Sequence, residues 1–231
     1  MLSLKRWKNL ERSELYFLLG ALAFSLGVWL FLAVADEAFD RGHQATEERW
    51  MIALRNPQNL AEPRGGPVVA EIARDITALG GATALVIFTS LISGWLLLRR
   101  QWRTTLVAVA TIAGGYGASL ALKSAYGRAR PTIVPPLDQV SSTSFPSGHA
   151  MCSAIFYLTM GALLAHAMPR QREKIYLIAA AGGLMFLIGF SRVLLGVHYP
   201  TDVLAGWSAG TVWALGCWLL AARWRSGQNQ K

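Results

Sequence analysis

Charge is scarce in this sequence: of 231 residues, only 15% are Asp, Glu, Lys or Arg, against about 25% in an ordinary soluble domain. The charges present cluster between long neutral stretches, which excludes a uniformly solvated globule. A hydrophobic content of 53% excludes intrinsic disorder. Cysteine is scarcer still. Cys152 and Cys217 both lie inside apolar runs, which argues against a disulfide framework, and their spacing matches no zinc motif. There is no internal repeat and no low-complexity tract. What remains is the composition of an integral membrane protein.

Five long runs carry no formal charge: Leu15–Ala35, Ile76–Leu98, Thr104–Leu122, Ala150–Pro169 and Val203–Ala222. A sixth, Ile175–Phe190, is shorter than the roughly 20 apolar residues a spanning helix needs, and must borrow its flanks. The expected fold is therefore an all-α membrane bundle of six transmembrane helices, a single domain over 1–231. The first run could be a signal peptide, since Ala33-Val34-Ala35 resembles a cleavage site. It is longer than the ~7–15 residues of a signal core, so an uncleaved first helix is expected. Within the first outer loop, 36–75, Pro57, Pro63, Gly65, Gly66 and Pro67 forbid one long helix. Thr46–Arg55 and Val68–Leu79 are each expected as a short amphipathic helix packed over the bundle.

Acidic residues are outnumbered 13 to 22, leaving +9. With six crossings and the N-terminus inside, the inner segments hold 13 basic and 3 acidic residues, and the outer segments 9 basic and 10 acidic. The excess is a positive-inside signal, with both termini cytoplasmic, and not a nucleic-acid surface. Trp7, Trp95, Trp102 and Trp224 fall near the inner ends, as an aromatic belt would. Gly206 and Gly210 form a GxxxG pair suited to close helix contact, with no chemical implication of its own.

Setting topology aside leaves a small polar set, all of it on the outer side. Lys123, Arg130 and Pro131 follow the third helix, Pro146-Ser147-Gly148-His149 opens the fourth, Ser191-Arg192 follows the fifth, and His198 and Asp202 open the sixth. Three cations suit phosphate oxygens, arginine bidentately. Ser147 and Gly148 at a helix start offer backbone N–H groups to an anion. Two histidines and a carboxylate are the parts for nucleophile, orienting group and general acid. Pro200 at the first helical position would put Asp202 third, able to reach back and accept the Nδ1–H of His198. Taken singly, Asp202 reads as a helix cap, Lys123 and Arg130 as headgroup contacts, and either histidine as a satisfied interfacial residue. Their coincidence on one face outweighs those readings. His43 and His166 lack such company and receive no role.

Lys123-x6-Arg130-Pro131, Pro146-Ser147-Gly148-His149 and Ser191-Arg192-x5-His198-x3-Asp202 resemble the three-part signature of the type 2 phosphatidic acid phosphatase superfamily, within 123–202. The resemblance implies that His198 attacks phosphorus to form a phosphohistidine, that Asp202 orients it and that His149 protonates the leaving group. It implies that Lys123, Arg130, Ser147, Gly148 and Arg192 hold the phosphate, with no metal or other cofactor. Soluble acid phosphatases and vanadium haloperoxidases share these motifs, but this chain lacks their composition. The expected substrate is a lipid phosphomonoester or polyprenyl diphosphate at the outer face of a bacterial inner membrane. Phosphatidic acid, phosphatidylglycerol phosphate, undecaprenyl diphosphate and a lipid A phosphate stay open. A transporter or non-catalytic phospholipid binder is the rival, disfavoured because the spans lack the midplane charges such proteins carry.

Overall fold

The computed structural model describes residues 12–228. Lys5, Arg6, Trp7, Lys8, Glu11 and Lys231, which enter the charge and belt arguments above, lie outside the described residues. The elements are α1 (Arg12–Ala38), α2 (Arg41–Ala53), a hairpin of β1 (Arg55–Asn56) and β2 (Asn59–Pro63), α3 (Pro67–Ala78), α4 (Ala82–Leu98), α5 (Trp102–Tyr126), α6 (Gly148–Ala167), α7 (Gln171–Leu194) and α8 (Pro200–Gln228). Helices α1, α5, α6, α7 and α8 are each long and apolar enough to cross a membrane. Helices α3 and α4, bent by 42° at a short break, pass the same test only as a pair, and counted as one broken span they bring the number to six. Leu22, Trp29, Leu91 and Leu220 are exposed along these helices, a surface that water would penalise and a bilayer covers.

Two features depart from the sequence reading. The run Ile76–Leu98 is not one helix, because the chain breaks at Leu79-Gly80-Gly81 and restarts at Ala82. Absence of charge hid a double glycine that weakens a helix. The apolar runs also end short of their helices. Lys123 lies in the last turn of α5, and Ser191 and Arg192 in the last turn of α7, instead of after them. By the same extension α7 reaches 24 residues from a short apolar run. Both amphipathic helices form. Asp40 caps α2, its carboxylate accepting the N–H of Gly42 at 2.6 Å and of His43 at 3.4 Å, and Pro67 opens α3. The hairpin between them has too few residues to show a period.

Helix α6 is the centre of the bundle: half of its apolar window is buried, against 11% for α1. It packs on α5, α7 and α8, while α1 lies along α8 and α3 covers α7. The α6–α8 contact is unusually close. A Cβ on Gly206 would meet the Ser147 carbonyl at 2.7 Å and Ala150 Cβ at 2.9 Å, and one on Gly210 the Met151 carbonyl at 2.6 Å. The GxxxG pair therefore does bear on the chemistry. It brings the start of α8 against the start of α6, where the Ser147 N–H donates to the Asp202 carbonyl at 2.9 Å.

Candidate active site

The ends of α5 and α7 and the starts of α6 and α8, with the loop 127–147, bring the polar residues of all three motifs together. His198 sits in the short turn after Gly196, whose φ of +75° only glycine adopts without strain. Pro200 is the first residue of α8 and Asp202 the third. The Asp202 carboxylate then behaves as a capping-box acid: Oδ2 accepts the Tyr199 N–H at 2.9 Å and lies 3.4 Å from His198 Nδ1. His198 and Asp202 are both buried.

Arg130 fixes the tautomer of His198. Its Nη1 lies 3.2 Å from Nε2, and a guanidinium can only donate. Nε2 is therefore the unprotonated, acceptor nitrogen, and the ring proton resides on Nδ1, facing Asp202. Burial pushes the imidazole down to about 4, against the upward pull of Asp202 and reinforced by Arg130 and Arg192. At neutral pH the ring is uncharged, with its lone pair on Nε2. Arg130 itself is anchored by the Ser142 and Val197 carbonyls, each at 2.6 Å. Burial and the like charge of Arg192 lower its guanidinium to about 10, which still leaves it charged.

Two further cations, Lys123 and Arg192, lie near Arg130. Lys123 Nζ donates to the Thr143 carbonyl at 2.6 Å. A Cβ on Gly148 would meet Lys123 Cε at 3.3 Å, so glycine lets the lysine lie against the start of α6. Arg192 Nη1 bonds Thr77 Oγ1 at 3.1 Å and Asp138 Oδ2 at 2.6 Å, while its buried Nε–H has no partner among the described residues. A buried donor without an acceptor is costly, and an anion would supply one. Ser147 is fully buried as the N-cap of α6, its Oγ accepting the Ala150 N–H at 3.5 Å. Because the Ser147 N–H is engaged by Asp202, the first-turn N–H groups left for an anion are those of Gly148 and His149. The His149 ring is half-buried beside the α3–α4 break, where a Cβ on Gly81 would stand 3.7 Å from Nε2.

Three further residues belong to the site and escaped the sequence reading. Ser144 is fully buried, donates a short hydrogen bond to Asp202 Oδ2, and lies 3.4 Å from His198 Nδ1. Arg128 bonds Asp202 Oδ1 at 2.6 Å and Thr201 Oγ1 at 2.9 Å, and its second nitrogen reaches Glu47 at 3.0 Å. Glu47, on α2, is buried. His43 makes only an exposed ion pair with Glu37 at 2.9 Å.

A family model described as the PAP2 superfamily matches residues 103–226, more than half of the chain. Phosphatidylglycerophosphatase B of Bacillus subtilis is 33% identical over 147 residues, covering 62% of this chain and 71% of the relative. A lipid A 1-phosphatase of Rhizobium etli is 29% identical over 166 residues, covering 62% and 67%. Among solved structures, a transmembrane PAP2-type phosphatidylglycerolphosphate phosphatase from Bacillus subtilis superposes with a TM-score of 0.76 at 28% identity, covering 87% of this chain and 96% of that one.

Proposed function

The chain belongs to the PAP2 superfamily of phosphatases, and from that premise we propose that it hydrolyses a lipid phosphomonoester of the phosphatidylglycerol phosphate type. The active site faces the non-cytoplasmic side, and both termini lie inside. One observation carries the reading: Arg130 Nη1 at 3.2 Å from His198 Nε2, which presents a neutral nucleophile amid cations on a multi-pass membrane protein.

The geometry supports one assignment of roles. The phosphate lodges among Lys123, Arg130, Arg192 and the N–H groups of Gly148 and His149, with Ser147 shaping that turn. Arg130 transfers its donor from Nε2 to a phosphate oxygen as the substrate enters. His198 Nε2 attacks phosphorus, the N–P bond forms and the P–O bond to the lipid breaks. Asp202 accepts the Nδ1–H and stabilises the charge that the ring acquires. His149 gives its proton to the departing lipid oxygen, then takes one from the water that cleaves the phosphohistidine and frees inorganic phosphate. The cations and N–H groups stabilise the charge developing on the transferred group. No step calls for a metal. The positive-inside charge pattern supports the orientation, and the similarity to phosphatidylglycerophosphatases supports the substrate class.

The test is phosphate release by detergent-purified protein, with EDTA present, from phosphatidylglycerol phosphate, phosphatidic acid, lipid A 1-phosphate and undecaprenyl diphosphate. Release that survives EDTA and vanishes in His198→Ala supports the mechanism. A metal requirement, or activity persisting in the variant, overturns it. Labelling of a cysteine introduced in 132–145 from outside intact cells tests the orientation, and failure to label alongside a working cytoplasmic control contradicts it.

A further inference from the structure

Glu47 is a carboxylate in the first outer loop, far in sequence from every motif, and yet it is buried against the site. Its Oε1 accepts the Thr201 N–H at 2.7 Å and its Oε2 the Arg128 guanidinium at 3.0 Å. Arg128 carries the connection onward to Asp202 Oδ1 at 2.6 Å. The guanidinium lies over the Tyr199 ring, 4.2 Å from its centroid, and Gln44 on the same helix α2 bonds the Tyr199 hydroxyl at 3.2 Å. We propose that Glu47 and Arg128 are a positioning relay that fixes the Asp202 carboxylate against His198, so that the outer helix α2 governs the nucleophile.

This inference rests on the phosphatase reading above. A cap on α8 needs no charge, since a serine or asparagine suffices, and burying three charges is costly unless each is paired. The chain of pairs accomplishes two things. Asp202 Oδ2 already serves Tyr199, Ser144 and His198, so the Arg128 bond to Oδ1 stops the carboxylate from turning about its Cβ–Cγ bond. Glu47 also balances the charge of Arg128. Without it, Arg128 would cancel the field of Asp202, which the imidazole needs as it becomes positive during attack. Arg130 and Arg192 press on the same ring from the other side, so that field is not in surplus.

Arg128→Ala would leave two carboxylates buried together and risks misfolding, so the informative variants are Glu47→Gln and Arg128→Lys in the full-length chain. Kinetics with dioctanoyl phosphatidic acid in detergent should show kcat lowered by about 10–100-fold, the scale on which outer partners of an oriented histidine act, with KM within about twofold. Unchanged kcat with reduced thermal stability, or a change confined to KM, overturns the relay. A second readout needs no turnover. In ¹⁵N-histidine-labelled protein, the His198 ring signal (identified by its loss in His198→Ala) should report an Nδ1-bound proton and shift in both variants. Were the wild type to release no phosphate from any lipid, the phosphatase reading would fail while this signal still decides the relay. An unmoved signal in both variants overturns it.

Discussion

Arg192 Nη1 holds Asp138 Oδ2 at 2.6 Å, a buried guanidinium paired with a partly exposed carboxylate on the loop before α6. On the proposed reading, an entering phosphate shares that guanidinium with an anion already in place.

Removing the competing charge should tighten anion binding. In Asp138→Asn the Ki of orthovanadate or inorganic phosphate is expected to fall by about 3–10-fold, the effect of one partly screened charge at close range. Competition kinetics would check it. A Ki that rises would mean that Asp138 aims Arg192 at the phosphate.

The acid limb of kcat/KM should lie far below the ordinary histidine range. With His198 held down to about 4, the ring stays unprotonated until the pH approaches that value, and then loses its lone pair. Stability follows the same sign. The unfolded chain, with His198 at the usual value of about 6.5, binds more protons between the two values, so stability is lost as the pH falls through that window. A pH–rate profile of the free enzyme, with a melting series beside it, tests both. A limb near the usual value would contradict the buried, neutral ring.

The approach of α8 to α6 should tolerate no added methyl group. A Cβ on Gly206 or Gly210 would stand 2.6–2.7 Å from a carbonyl oxygen, so Gly206→Ala and Gly210→Ala must push the helices apart. Each is expected to lower kcat by at least about tenfold, because small displacements of reacting groups are expensive. Gly216→Ala, which meets only the Phe24 ring at 3.2 Å, is the control and should retain most activity.

Ser144→Ala removes one of the donors to Asp202 Oδ2, while the Tyr199 N–H remains on Oδ2 and Arg128 on Oδ1. The expected cost is about 1 kcal/mol of stability, the usual worth of one hydrogen bond, with kcat reduced about 3–10-fold on the same scale. Paired kinetics and thermal melts of the purified variant would measure both. Unchanged kcat would make Ser144 a packing residue only.

The site motifs were legible because they stand out against apolar sequence. Lys123, His149, Arg192 and His198 are polar residues at the edges of runs where lipid permits few, and the spacing from Pro200 to Asp202 carries its own geometry. Arg128 has the same chemistry but no contrast: two positions before Arg130, it reads as one more loop cation. Glu47 sits in a charged helical segment, TEERW, where nothing in the sequence distinguishes it from Glu48. Its partners Arg128 and Thr201 meet it only through tertiary packing. The break after Ala78 was obscured by hydrophobicity, since Gly80 and Gly81 leave the run free of charge while ending the helix. Helix ends were misplaced for a related reason. The apolar run marks only the uncharged stretch, whereas hydrogen bonding carries α5 and α7 a turn farther, to Tyr126 and Leu194, and so takes in Lys123 and Arg192.

The bond from the Ser147 N–H to the Asp202 carbonyl joins the start of α6, which bears His149, to the start of α8, which follows His198, through main-chain atoms alone. No side-chain exchange can delete either partner, short of proline at position 147. Mutational drift can therefore redecorate the loops and the lipid-facing surfaces, and with them the choice of substrate, while the two halves of the reaction centre keep their spacing. The vulnerable points are the two glycines that allow the approach, where an added atom does what the loss of one cannot.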